Sequence, residues 1–142
     1  MGRILAIDFG QKRSGIAVTD PFQLIANSLE TVPSKDLPAF LKSYLERESV
    51  ECIVVGEPKD LQNHDSDASR FVEPFVRRLK IMFPEMQIER FDERFTSKMA
   101  FQAMIDAGLG RKRRQDKALV DAISATIMLQ SFMEFRKNKK QF

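Results

Sequence analysis

The first third of the chain alternates short apolar runs with polar turns. Residues 3–9 and 14–20 are rich in β-prone apolar residues, and Gly10 and Gly15 interrupt them. This pattern predicts two strands joined by a short turn, followed by a third strand over 23–31. Because such short connections join antiparallel neighbours, we expect a three-stranded meander.

The middle of the chain alternates between helical and strand patterns. Apolar residues at helical spacing predict helices over about 36–48 and 70–83, where Pro74 fits only in the first turn or at a kink. Short apolar runs predict buried strands over 51–58 and 86–93.

The last part of the chain predicts two further helices. Thr96 or Ser97 is a suitable N-cap for a helix that ends near Gly108, and residues 118–135 form one long, mostly apolar helix. Strands separated by helices imply parallel pairing in this half of the chain. The order of elements therefore predicts an α/β fold, a mixed five-stranded sheet with helices packed on it.

Length and composition indicate one soluble domain. The 142 residues are 43% apolar and 30% charged, and no repeat or linker divides them. We expect a domain over 1–135 and a basic C-terminal tail over 136–142. The absence of a secretory signal and of a run of about 18 apolar residues argues against a membrane span. Cys52, the single cysteine, favours a reducing compartment, so we expect a cytoplasmic protein.

The positive charge is concentrated in two segments. Residues 111–117 and 136–142 each carry a net charge of +4, so the remaining 128 residues sum to −5 although the whole chain is +3. Basic segments on a mildly acidic body suggest a polyanionic partner such as nucleic acid. A solvated loop and a disordered tail are the alternative interpretation.

Three acidic residues stand where such a sheet would bring them together. Asp8 ends the first strand, Glu93 follows the last strand, and Asp121 lies near the start of the final helix. Carboxylates with few His or Cys residues nearby suit Mg²⁺ or Mn²⁺. A pair of such ions, bridged by Asp8, would activate a water and stabilise the leaving oxygen in phosphodiester cleavage.

Each acid also has a simpler explanation. Asp8 would end its strand by accepting hydrogen bonds from turn amides, Glu93 would pair with Arg90 or Arg94, and Asp121 would favour the positive end of its helix. His64, the only histidine, is interpreted as a loop residue.

Three motifs in the chain resemble those of one protein family. DFGQKRSGIAVTD (8–20), DERFTS (92–97) and VDAISATIMLQ (120–130) are similar, in this order, to the motifs of the YqgF family, also called RuvX. The resemblance implies an RNase H-like fold, a relation to Holliday-junction resolvases, and divalent-metal-dependent processing of the 5′ end of pre-16S rRNA in ribosome biogenesis. Carried over by motif, Asp8, Glu93 and Asp121 become the catalytic, metal-binding acids.

Basic residues in and near these motifs are the expected contacts to nucleic acid. They are Lys12, Arg13, Arg94, Arg111, Lys112, Arg113 and Arg114. We expect pre-rRNA rather than junction DNA as the partner, with ribosomal particles as a further partner, and either a monomer or a homodimer.

One departure from the family pattern affects the predicted site. Glu57 follows a central strand where family members often have Leu, and it is interpreted as a solvated loop acid rather than an additional metal ligand.

Three other functions compete with this interpretation. Resolution of four-way DNA junctions requires two symmetric cuts and usually a dimer. A nucleotide-binding function suggested by the glycine- and lysine-containing turn would require a second domain for which the chain has no room. A nucleic-acid-binding factor without catalysis, acting in transcription or ribosome assembly, is the third.

Overall fold

The computed structural model describes residues 2–57, 69–92, 102–103, 105–108, 110 and 116–140. The strands are β1 (Arg3–Asp8), β2 (Arg13–Thr19), β3 (Ala26–Pro33), β4 (Val50–Glu57) and β5 (Gln87–Asp92). The helices are α1 (Leu37–Arg47), α2 (Ser69–Met82) and α3 (Lys117–Lys140), and a 3₁₀ turn over Ser34–Asp36 precedes α1.

The strands form one mixed sheet in the order β3-β2-β1-β4-β5. β1, β2 and β3 pair antiparallel, whereas β4 pairs parallel to both β1 and β5. The predicted meander and the predicted parallel half of the sheet are therefore both confirmed. β1 occupies the centre, so the residue at its carboxyl end has a strand neighbour on either side.

Strand alternation divides the core into two layers. Leu5 and Ile7 of β1 pack on one face with apolar residues of α1 and α2, while Ile4 and Ala6 pack on the other with α3. All four side chains are buried. Successive side chains of a strand point to opposite faces, so a residue's parity decides which helices it meets.

One side of helix α3 packs on the sheet. Among the described residues, the span 118–137 has the length and composition that would suffice to cross a membrane, and 28% of it is buried. The sequence-based expectation that the chain contains no such span was wrong. Ala125, Met128 and Leu129 are fully buried against β1 and its neighbours, and they form the apolar side that faces the sheet.

The third strand starts later than its apolar pattern predicted, at Ala26 rather than residue 23. The Asp20 carboxylate accepts hydrogen bonds from three backbone N–H groups, those of Phe22, Leu24 and Ile25, at 2.7–3.0 Å. These bonds lower the pKa of Asp20, the bond from Ile25 contributing most. Gln23 has a φ of 60°, in the left-handed region, so this segment is a tight turn rather than a strand.

Two helices differ in detail from their predictions. Pro74 lies in the second turn of α2 rather than in the first, on the solvent side, where its missing N–H costs one internal hydrogen bond. α3 continues to Lys140 instead of ending at 135, because no Gly or Pro interrupts it and the basic residues at its end suit the negative pole of the helix.

The predicted helix from residue 96 or 97 lies largely outside the described residues. Its expected end is confirmed, because Gly108 has a φ of 76° and donates its N–H to the Ile105 carbonyl at 2.9 Å.

The buried Cys52 thiol provides a test of this core. Burial raises its pKa to about 11, so little thiolate exists in the native protein at mildly alkaline pH. We expect iodoacetamide to modify the native protein roughly two orders of magnitude more slowly than the urea-unfolded chain. Mass spectrometry of the single cysteine measures both rates, and equal rates would contradict the placement of Cys52 on β4 beneath α3.

Candidate active site

Asp8 is the last residue of β1 and lies on the α3 face of the sheet. It has the same parity as Ile4 and Ala6, which pack beneath α3. Its side chain is half-buried, whereas the four residues before it are fully buried. The strand therefore ends by presenting a carboxyl group at the margin of the core.

Gly15 brings the final helix close to this carboxyl group. It is the β2 residue paired with Asp8, and paired Cα atoms of antiparallel strands are about 5 Å apart. A Cβ added to Gly15 would collide with the backbone carbonyl of Asp121. The absence of a side chain at Gly15 thus allows the α3 backbone to touch the sheet, and it places Asp121 over the same end of the sheet as Asp8.

The start of α3 is held in this position by other residues. Asp116 caps the helix by accepting the N–H groups of Ala118 and Leu119 at 3.0 and 3.3 Å. Thr31 of β3 donates its hydroxyl to the Ala118 carbonyl at 2.9 Å. Because Asp116 performs the capping, Asp121 is not required for it.

Arg13 links β2 to Asp121. Its Nε donates to Asp121 Oδ2 at 2.9 Å, and the two side chains are 35% and 28% exposed. An ion pair this accessible contributes no more than about 1 kcal/mol to stability. Its principal effect is to orient the Asp121 carboxylate, a role that the sequence did not suggest for a residue expected to bind phosphate.

A serine pair braces the turn that carries Lys12. The buried hydroxyls of Ser14 and Ser34 are 2.8 Å apart, and Ser34 also donates to the Gly10 carbonyl. The Ser34 N–H donates to the Lys12 carbonyl at 2.9 Å. Lys12 itself is exposed at the tip of a fixed turn. The sequence does not reveal this brace, since no local pattern shows which serines at strand ends pair with each other.

Two glycines flank Asp8 in the row of strand residues that crosses the sheet. Gly56 follows Val55, the parallel partner of Ile7, and so lies beside Asp8 on the α3 face. Gly15 lies on the other side of Asp8, and the α3 backbone fills the position above it. Neither neighbour therefore places a side chain of its own beside the carboxylate.

Glu57 lies on the opposite face. It is the half-buried last residue of β4 rather than a loop residue, and it shares its parity with Ile53 and Val55, which pack towards α1 and α2. Its strand partner is Asp92. The alternation of β4 thus separates Glu57 from the face that carries Asp8.

Several predicted site residues lie outside the described residues. They are Glu93, Arg94, Arg111, Lys112, Arg113 and Arg114, and His64 also falls there. Arg90, a suggested partner of Glu93, is ion-paired with Glu73 of α2 at 2.8 Å.

The contact at Gly15 makes a direct prediction. We expect Gly15→Ala to destabilise the protein by about 1–3 kcal/mol, because the added methyl group must displace the α3 backbone. Urea denaturation measures the change. Gly110→Ala is the matched control, since a Cβ there meets nothing within 4 Å; equal stability of the two variants would contradict the close approach of α3.

Comparison with known proteins supports the fold and the family. The chain is 57% identical over 133 residues to a protein of Flavobacterium psychrophilum, covering 94% of this chain and 97% of that one. It is 55% identical over 137 residues to a protein of Phocaeicola vulgatus, covering 96% and 99%. Both relatives are named candidate pre-16S rRNA nucleases.

A solved structure shares the architecture. T. thermophilus RuvC in complex with Holliday junction substrate superposes with a TM-score of 0.58 at 19% identity, covering 97% of each chain. The chain therefore has the RNase H-like fold that its motifs implied. A sequence model of the RuvX family, described as Holliday junction resolvase, matches residues 2–135. The chain belongs to the RuvX family.

Proposed function

We propose that this protein is a divalent-metal-dependent endonuclease that cleaves structured nucleic acid, with the 5′ end of pre-16S rRNA as its substrate. The observation that carries the proposal is the convergence of Asp8 and Asp121 at one end of the sheet, on the same face. The names of the curated relatives support RNA as the substrate.

The chemistry of the site suits Mg²⁺ or Mn²⁺. Asp8 and Asp121 supply carboxylate oxygens, and the strand neighbours of Asp8, Gly15 and Gly56, have no side chains. Within the described residues, no group of three or more acidic, His or Cys side chains is able to hold a metal. The proposal therefore requires Glu93 as the third ligand. The assignment of Glu93 rests on its position in the sequence motif DERFTS.

The role of a bound metal is to activate the attacking water and to stabilise the leaving oxygen. The protein's own residues position the reactants. Arg13 holds the Asp121 carboxylate in a fixed orientation, and the braced turn holds the exposed Lys12 between β1 and β2. We assign phosphate contacts to Lys12, Arg13, Arg94 and the segment 111–114, whose affinity weakens as salt rises.

The substrate class separates this proposal from its closest alternative. A junction resolvase makes two symmetric cuts and so requires a second copy of the chain, whereas end processing of RNA requires one cut. Processing of the ribosomal RNA precursor also places the protein in the cytoplasm, with ribosomal particles as partners. Parallel cleavage assays on pre-16S rRNA and on four-way DNA junctions distinguish the two activities.

The acidic residues provide the decisive test. We expect Asp8→Asn and Asp121→Asn each to reduce metal-dependent cleavage of pre-16S rRNA by about 100-fold or more, because each removes a charged ligand worth several kcal/mol in the transition state. Denaturing gels of end-labelled RNA measure the rate, and circular dichroism checks that the variants fold.

Glu57→Gln is the matched control, since Glu57 is an acid at the same sheet edge but on the opposite face. We expect it to retain nearly full cleavage. A loss as deep as that of Asp8→Asn would overturn the proposed ligand set. A double variant, Asp8→Asn with Asp121→Asn, that still binds RNA and supports normal function in cells would identify a binding factor without catalysis.

A further inference from the structure

Helix α2 carries an exposed set of cations that the proposed site does not use. Its solvent side presents four basic side chains, those of Arg70, Arg77, Arg78 and Lys80. Its one acid, Glu73, is ion-paired with Arg90 of β5 at 2.8 Å. The helix by itself therefore has a net charge of +3, equal to that of the whole chain.

These cations take no part in the core contacts of the helix. The core contacts of α2 come from Val72, Phe75, Val76 and Leu79, all on the opposite side of the helix. Within the described part of the chain, Arg77, Arg78 and Lys80 form no ion pair. Uncompensated cations on one helix face create a positive potential that attracts polyanions.

One contact connects the helix to the end of β1. Phe9, the residue after Asp8, stacks on Phe75 with ring centroids 4.6 Å apart. Four residues separate the end of α2 at Met82 from the start of β5, so the helix runs from the carboxyl edge of the sheet to the amino edge. Arg77, Arg78 and Lys80 follow Phe75 along the helix, on the side of the sheet opposite Asp8.

We propose that the outer face of α2 binds the phosphate backbone of the nucleic-acid segment that flanks the cleavage site. This inference rests on the proposed function, and it adds a second contact surface to it. The fourteen residues of α2 span about 21 Å, the length of about six base pairs of duplex. The substrate is therefore a structured nucleic acid that extends past the cleft and follows the protein around the sheet edge.

The experiment replaces three of these cations together. The variant carries Arg77→Gln, Arg78→Gln and Lys80→Gln, and the control carries Lys35→Gln, Lys42→Gln and Arg47→Gln, which remove the same charge from the exposed side of the Ser34–Asp36 turn and α1. Both sets are placed in an Asp8→Asn background, so that binding is measured without cleavage. The probes are long RNA and DNA duplexes, of about 20 base pairs.

We expect the α2 variant to bind the long duplexes roughly tenfold more weakly. The slope of log K against log salt concentration should fall by the equivalent of about two phosphate contacts. Binding of the long duplexes by the α1 control remains within about twofold of the parent. With active protein and a long substrate, the α2 variant raises KM and leaves kcat unchanged.

Two outcomes overturn the inference: unchanged binding of the long duplexes by the α2 variant, or an equal loss in the α1 control. Loss of binding to vesicles containing anionic lipid, with duplex binding unchanged, would also overturn it and would assign α2 to a membrane surface. Failure of the proposed function has a different signature. The protein with Asp8 intact would then show no metal-dependent cleavage, while the α2 variant would still lose duplex binding.

Discussion

The contact between helix α3 and strand β2 at Gly15 determines the geometry of the candidate active site. A side chain at Gly15 would hold the α3 backbone away from the sheet, and Asp121 would no longer lie over the end of β1. The flanking interactions, from Arg13 to Asp121 and from Thr31 to Ala118, orient the helix once that approach is possible. The absence of a side chain at Gly15 is therefore required for the Asp121 carboxylate to lie near that of Asp8.

Most of the fold was predictable because its elements have strong local signals. Buried parallel strands such as β4 appear as continuous apolar runs, and short turns dictate the antiparallel meander. The start of β3 was not predictable, since the apolar residues Leu24 and Ile25 mimic a strand while the Asp20 carboxylate holds them in a turn. Hydropathy does not record hydrogen bonding of this kind.

The candidate site was predictable only in part. Asp8 and Asp121 were identified from their motifs, and the structure brings them to one face of the sheet. The role of Gly15 depends on a contact between segments more than a hundred residues apart, and no pattern within β2 reveals it. The face on which Glu57 lies likewise depends on the parity and exact end of β4, which sequence patterns do not locate to the residue.

The two faces of the sheet divide the proposed work between them. The α3 face gathers the carboxylates, while the outer surface of α2 presents cations on the other side. Repulsion between acids and phosphate, which opposes binding at the cleft, is offset by attraction elsewhere on the same molecule. The Phe9–Phe75 stack is a direct contact between the end of β1 and α2.

The long sequence separation of the two acids also affects when the site forms during translation. Asp8 emerges with the first strand, but Asp121 belongs to a helix 113 positions later, and β1 lacks its parallel neighbour until β4 has been synthesised. A nascent chain therefore contains the first carboxylate long before the second. The proposed activity towards ribosomal RNA therefore requires that α3 has been translated and has docked on the sheet.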